Sequence, residues 1–199
     1  MKKDFEYVQY LRNMKNIKKR IKSVKYVRNH LTSTMYTFTD IEYCTLQIRK
    51  ILELIAISSL ISDYKIYKEK MDSINKMWKA DLIIKDLERI NPKFYPEPTL
   101  TIKRVGEIDK LVVSDKEYLT KELFVEVYNK CGKMLHSLNP LCGEKSIDDL
   151  YAKYNDCIDI WIMWIENLLE NHVVVLLRFK EDNADSFKKD LKKYYDSMN

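Results

Sequence analysis

Apolar residues recur every three or four positions along the first part of the chain, which is the spacing that places side chains on one side of an α-helix. The pattern predicts an amphipathic helix within residues 1–33. A long apolar stripe must be covered by other protein, so we expect it to pack on the body of the chain or on a second copy. Its members are Phe5, Val8, Leu11, Met14, Ile17, Ile21, Val24, Val27 and Leu31.

The same spacing predicts helices throughout the body of the chain. Neither glycine nor proline occurs before Pro92, so no strong helix breaker stands in that part. The next helix should begin at Thr39, because Thr39 and Glu42 have the spacing of a capping box, and apolar residues on nearly all of its sides predict a central position. Further helices are predicted over 65–90, from Thr120 to about 138, from Ser146 to about 170, and over 188–195.

Residues 92–117 have a different pattern. Apolar and polar residues alternate on both sides of Gly106, which is typical of two short strands joined by a turn. We therefore expect a small β-hairpin near residues 98–114, and the β-branched run after His172 predicts one more short strand. The fold class is predicted to be mainly all-α, a helical bundle of about five to six helices with this hairpin as an insertion. Its length favours a single domain over residues 1–199.

Composition places the chain among folded proteins of the cytoplasm. Hydrophobic residues make up 46% and charged residues 33% of the sequence, which is enough apolar surface for a packed core. The four cysteines form no C-x-x-C pair, and no signal peptide precedes them, so we expect reduced thiols in the cytoplasm. The most apolar stretch, 51–61, is shorter than the ~20 residues that cross a bilayer, and therefore predicts a buried helix rather than a transmembrane segment.

Positive charge is concentrated at the start of the chain, where residues 1–30 hold ten Lys/Arg against Asp4 and Glu6. A basic segment on a mildly acidic body favours an anionic partner, such as RNA or another polyanion. A solvated helix face is the alternative interpretation. The candidate nucleic-acid-binding residues are Lys15, Lys18, Lys19, Arg20, Lys22, Lys25 and, further along the chain, Lys133.

One local group of residues has the composition of a catalytic site. His136 stands at the end of a predicted helix, and Lys130 and Lys133 precede it on the same helix. The imidazole could act as an acid or base on an RNA backbone while the lysines bind phosphate, or it could simply cap the helix C-terminus. On the central helix, Arg49 and Glu53 lie four residues apart, where they can form an ion pair or a polar site.

The helical body, roughly residues 40–170, resembles the HEPN superfamily of helical domains. The resemblance rests on a central helix that carries charges and on a late helix that ends in a basic residue, a spacer and a histidine. It implies a metal-independent endoribonuclease that acts as a homodimer in a defence, toxin or mobile-element setting. His136 would be the acid or base, Lys130 would hold the place of the family's arginine, and Arg49 would be an auxiliary.

The departure from the family motif weakens the expectation of catalysis, because lysine lacks the two-pronged hydrogen bonding that arginine offers to phosphate. We therefore predict an RNA- or polyanion-associated protein without robust nuclease activity. Two alternatives stay open: an endoribonuclease that uses His136, and a protein-binding module, either an inhibitor or a scaffold, that acts through its amphipathic N-terminal helix.

No cofactor or metal is expected. The common nucleotide-binding and hydrolase motifs do not occur in the sequence. The four potential zinc ligands Cys131, His136, Cys142 and Cys157 have spacings that match no compact zinc site. Tryptophans at helical core spacing indicate packing rather than base stacking. Only tyrosines among the basic residues, namely Tyr7, Tyr10 and Tyr26, are candidates for contact with bases.

Overall fold

The computed structural model describes residues 5–62, 80–105, 108–136 and 144–173. This part contains five helices: α1 (Phe5–Arg28), α2 (Thr37–Ser62), α3 (Ala80–Ile90), α4 (Lys121–Met134) and α5 (Glu144–Leu169). It also contains three strands: β1 (Glu97–Val105), β2 (Ile108–Val113) and β3 (His172–Val173). The predicted fold class, a mainly all-α bundle with a small β-hairpin, is confirmed. The predicted helix over 188–195 and the strand after 173 lie outside the described residues.

Helix α2 occupies the centre of the bundle, as its apolar sides predict. It contacts each of the other four described helices. Its buried side chains lie on several sides rather than along one stripe. Among the described residues, no helix combines the length and the apolar character needed to span a membrane. The core side chains of α2 are Ile41, Cys44, Ile48, Ile51, Leu52, Ile55 and Ala56.

Helix α1 packs along α2, which covers the middle of the apolar stripe predicted for the N-terminal helix, whereas Val8 and Leu31 stay exposed. Ile17, Ile21, Val24 and Val27 are buried in the core. The stripe was expected to pack either on the body of the same chain or on a second copy, and these four residues pack on the body of the same chain. Polar contacts join the two helices along their length, since the Arg20 guanidinium donates to the Gln47 side chain over 2.6 Å.

The turn after α1 is closed without glycine. His30 has a φ of 56°, and its amide donates to the Val27 carbonyl, while the Leu31 amide donates to the Tyr26 carbonyl. These two bonds form a Schellman motif, which normally places glycine at the left-handed position. The helix therefore ends at Arg28, several residues before the apolar pattern stops.

Helix α2 begins two residues earlier than predicted, and the capping box is wrong. The Thr39 hydroxyl donates to the Tyr36 carbonyl, and the Glu42 carboxylate instead accepts a hydrogen bond from Tyr151. Asp40 provides the hydrogen-bond acceptors for the preceding turn. Its carboxylate accepts hydrogen bonds from the Thr34 amide over 2.6 Å and from the Ser33 hydroxyl over 2.8 Å. These bonds to the charged form lower the pKa of Asp40.

The hairpin follows α3, and its first strand pairs with the last described residues of the chain. Helix α3 is the second half of the helix predicted over 65–90, and residues 65–79 lie outside the described part. Strand β1 pairs antiparallel with β2 from Val105↔Ile108 to Thr99↔Val113, and on its other edge with β3. The sheet order is therefore β2-β1-β3. Phe94 anchors the connection between α3 and β1 in the core.

Helices α4 and α5 complete the bundle. The predicted N-cap of α4 is confirmed, since the Thr120 hydroxyl accepts from the Leu123 amide over 3.3 Å. Helix α5 begins at Glu144 rather than at Ser146. The Tyr154 hydroxyl donates to the Lys130 carbonyl over 2.9 Å and joins the two helices. The core residues of α5 are Tyr151, Tyr154, Ile158, Trp161, Ile162, Ile165 and Leu168.

A buried histidine joins the two ends of the described chain. The Nδ1–H of His172 donates to the Leu169 carbonyl over 3.2 Å, which leaves Nε2 to accept from the Tyr10 hydroxyl over 2.5 Å. Burial favours the neutral imidazole and lowers the pKa of His172 to about 4. Helix α1 and strand β3 are thus tied by a pair whose members are 162 residues apart.

The His172 pair predicts a loss of stability in mild acid. The folded-state pKa of about 4 lies below the ordinary value of 6.5, so the unfolded chain binds the proton first and stability falls as the pH drops from about 6.5 towards 4. Between pH 7 and pH 5 the wild type should lose about 2 kcal/mol more unfolding free energy than His172→Gln. Urea unfolding at both pH values measures this difference, and equal losses in the two proteins would contradict it.

Candidate functional site

The exposed side of α1 carries an unbroken row of positive charge. Arg12, Lys15, Lys19 and Lys22 follow one another at steps of three and four residues, and Lys18 lies beside them; all five are exposed. The sequence has no acidic residue between Glu6 and Asp40. We call these five residues the basic face. It spans about 15 Å along the helix, from the rise of 1.5 Å per residue.

Carboxylates of α5 neutralise the end of α1 and so define where the basic face stops. Lys25 pairs with Glu166 over 2.6 Å, and Arg28 forms three hydrogen bonds to Asp159, which raises the pKa of Arg28. Of the predicted nucleic-acid-binding residues, Lys25 is therefore paired within the protein. Arg20 is half-buried against α2 and points away from the basic face.

A cleft of about 480 Å³ opens where α4 ends. This volume is within the range of small-ligand sites. The turn before α2 and the first residues of α2 form one wall, the end of α4 forms a second, and the start of α5 forms the third. The cleft is lined by Tyr36, Phe38, Glu42, Met134, Leu135, His136, Ile147 and Tyr151.

Glu42 is the acidic group of the cleft. One of its carboxylate oxygens, Oε1, accepts a hydrogen bond from the Tyr151 hydroxyl. Burial, followed by this bond, raises the pKa of Tyr151 to about 12, so the phenol stays protonated and donates. Phe38 stacks on the Tyr151 ring with centroids 4.0 Å apart and planes 9° apart. The Glu42 side chain is therefore held from one side and open to the cleft on the other.

His136 lies in the cleft with an exposed side chain. The C-cap of α4 is Leu135, whose amide donates to the Cys131 carbonyl over 3.1 Å. Within the described part of the chain, the imidazole of His136 forms no hydrogen bond or ion pair, so it does not cap the helix. The structure thus brings an imidazole and a carboxylate, His136 and Glu42, to the walls of one cleft.

Arg49 does not line the cleft and lies in the contact between α2 and α4. Its guanidinium covers the Tyr128 ring at 4.3 Å and donates to the Tyr128 hydroxyl over 3.0 Å. The predicted ion pair with Glu53 is confirmed at 3.5 Å. Arg49 also lies against Gly132, which precedes His136 by four residues.

The lysines of α4 lie apart from this group. Lys130 pairs with Glu126 over 2.5 Å, which raises the pKa of Lys130, and its carbonyl accepts from Tyr154 on α5. Gly132 faces α2, and a residue two positions away points to the opposite side of the helix. The structure therefore separates Lys130 from Arg49, while Lys133 is exposed near the end of the helix.

Two further groups of predicted residues can be placed. Tyr10 is buried and bonded to His172, so its ring is not open to a base, whereas Tyr26 is exposed beneath the Lys22 ammonium. Burial raises the pKa of Cys131 to about 12, which disfavours the thiolate that a metal requires. No metal-binding group of three His, Cys, Asp or Glu occurs among the described residues, and Cys142 lies outside them.

No protein-family model, curated protein or solved structure matches this chain. The site therefore has to be interpreted from its own residues. The sequence analysis named His136 and Arg49 but did not single out Glu42 or the aromatic wall of the cleft, which consists of Tyr36, Phe38 and Tyr151. Glu42 was assigned to a capping box because its spacing from Thr39 fits that motif. Its contact with Tyr151 spans 109 residues, and no local pattern contains that information.

The contact between Arg49 and Gly132 predicts a variant that displaces the Arg49 side chain without lowering the unfolding free energy of the protein. A Cβ at position 132 would lie 2.7 Å from Arg49 Nη1, so Gly132→Ala should displace the guanidinium, which is the flexible end of a long side chain. Alanine also favours the helix over glycine by up to about 1 kcal/mol. We expect unfolding free energy to stay equal or rise by up to about 1 kcal/mol in urea titrations. A decrease in the unfolding free energy would contradict this expectation and would mean that the Arg49 side chain cannot move away from position 132.

Proposed function

We propose that this protein binds RNA through the basic face of α1, as a HEPN-like helical domain acting in the cytoplasm. The observation that carries the proposal is the row of exposed cations formed by Arg12, Lys15, Lys19 and Lys22, in a stretch with no acidic residue between Glu6 and Asp40. Lysine and arginine rows attract phosphates and release the counterions that surround a nucleic acid. Such contacts are independent of base sequence and supply affinity.

The packing of α1 supports RNA over a protein groove as the partner of this helix. A helix that docks in a groove presents its apolar residues to the partner. In α1, the apolar residues Ile17, Ile21 and Val24 are already buried in the bundle, so they cannot enter a partner's groove. The outward residues that remain, lysines above all, are better suited to phosphate than to a dry interface.

Neutralising two central lysines of the basic face should weaken RNA binding and reduce its dependence on salt. In Lys15→Gln/Lys19→Gln, two phosphate contacts are lost, so the slope of log affinity against log salt concentration should become shallower by about 1.4 for single-stranded RNA. Fluorescence anisotropy with a labelled oligouridylate over a series of salt concentrations measures the slope.

The matched control is Lys85→Gln/Lys93→Gln, which removes the same charge from exposed positions on and after α3. The control should bind RNA with nearly the slope of the wild type. If both double variants change affinity and slope equally, binding depends on net charge alone and the basic face is not the site. Loss of secondary structure in either variant is checked by circular dichroism.

A second function, metal-independent RNA cleavage, is supported by the exposed imidazole of His136 in the cleft. The imidazole can accept the proton of a 2′-hydroxyl that attacks the adjacent phosphate, and the imidazolium can return that proton to the leaving 5′-oxygen. Arg49 would stabilise charge on the phosphate only after leaving its contacts with Glu53 and Tyr128. We propose this activity as weak, and the homodimer implied by the HEPN resemblance as its active form.

RNA cleavage in EDTA tests this second function. The wild type should slowly convert a mixed RNA pool to shorter products, and His136→Ala should not, because the acid or base is removed. His30→Asn is the control, since it removes another exposed histidine while asparagine accepts the left-handed backbone at that position. Cleavage that persists in His136→Ala would exclude this site, and light scattering of the same samples reports whether the active species is a dimer.

A further inference from the structure

We infer that the cleft at the end of α4 is a subsite for a guanine base of single-stranded RNA. The inference rests on the proposed RNA binding and adds a base preference to it. The residues that carry it are Glu42, Tyr151 and Tyr36, none of which contributes to the basic face. The cleft volume of about 480 Å³ is ample for one nucleoside.

The carboxylate of Glu42 selects for a base edge with two adjacent donors. An ionised carboxylate only accepts hydrogen bonds, and each oxygen has room for about two of them. Tyr151 occupies one position on Oε1, and among the described residues no group donates to Oε2. Guanine presents N1–H and N2–H side by side on its Watson–Crick edge, whereas adenine, cytosine and uracil each place an acceptor beside their donor. Only guanine can therefore pair with both oxygens without repulsion.

The aromatic wall supplies the stacking surface that a single-stranded base requires. Tyr36 is 56% exposed and lies 5.1 Å from Phe38 between ring centroids. Phe38 is itself stacked on Tyr151, so these rings form a rigid support rather than a flexible side chain. Stacking on an exposed tyrosine is independent of base identity, which leaves the choice of base to Glu42.

An arginine side chain of a peptide would also present paired donors to Glu42. The charge of the protein favours the base, because a guanine edge is neutral, whereas a cationic peptide would approach a protein of formal charge +5. The two occupants differ in a measurable way. A free arginine derivative competes for the cleft only if the cleft recognises a cation.

Affinity for matched oligonucleotides tests the inference. An oligouridylate with one central guanosine should bind the wild type roughly 10-fold more tightly than the same oligomer with adenosine, which is the order of discrimination that a bidentate pair provides. Inosine, which lacks the N2 amino group, should fall between them. In Glu42→Gln the guanosine preference should disappear, while the amide oxygen still accepts from Tyr151 and preserves the fold. The matched control Glu126→Gln removes a carboxylate outside the cleft and should retain the preference.

The outcomes separate the two proposals. Equal affinities for guanosine and adenosine in the wild type would overturn the subsite, and a steep salt dependence in the same titrations would leave RNA binding by the basic face intact. Absence of binding to every oligomer would overturn both. Displacement of the guanosine oligomer by N-acetylarginine amide would overturn the subsite in favour of a cationic peptide. Tyr36→Ala, a change at an exposed ring, should lower affinity for both the guanosine and the adenosine oligomer.

Discussion

The burial of α2 on several sides is the constraint on which the rest of the structure depends. Each neighbouring helix must offer α2 an apolar side, and each therefore turns its polar side outward. For α1 this orientation exposes a row of cations; for α4 it brings Gly132 against Arg49. The two candidate sites are consequences of one packing requirement rather than independent features.

Arg49 and Glu42 can lie on a central helix because each has a hydrogen-bond or ion-pair partner. Arg49 is held between Glu53 and the Tyr128 ring, and Glu42 accepts from Tyr151. A charge in a partly buried place without such partners would cost several kcal/mol. The partners of Arg49 occupy its guanidinium, whereas Glu42 keeps one oxygen open, which is why the cleft rather than the arginine is the better place for a ligand.

Periodicity in the sequence was sufficient to predict the helices, the central position of α2 and the hairpin, because these depend on which side of a segment is apolar. The N-cap at Thr120 was also predictable, since its bond to Leu123 is local. The end of α1 was not, because His30 takes the position at which glycine is the usual signal. The same limit applies to the site. Glu42 and His136 line one cleft because α2, α4 and α5 pack together, and the spacing of residues within one helix does not contain that information.

The bond between Tyr10 and His172 has a consequence for the order in which the molecule is made. During synthesis, α1 and α2 emerge first and can cover each other's apolar residues as a helical hairpin. The hydroxyl of Tyr10, however, lies 162 residues from the imidazole that accepts its hydrogen bond. This bond can therefore form only after the residues that follow α5 have left the ribosome. Among the long-range contacts of the described residues, the contact between α1 and β3 is thus one of the last that synthesis allows to form.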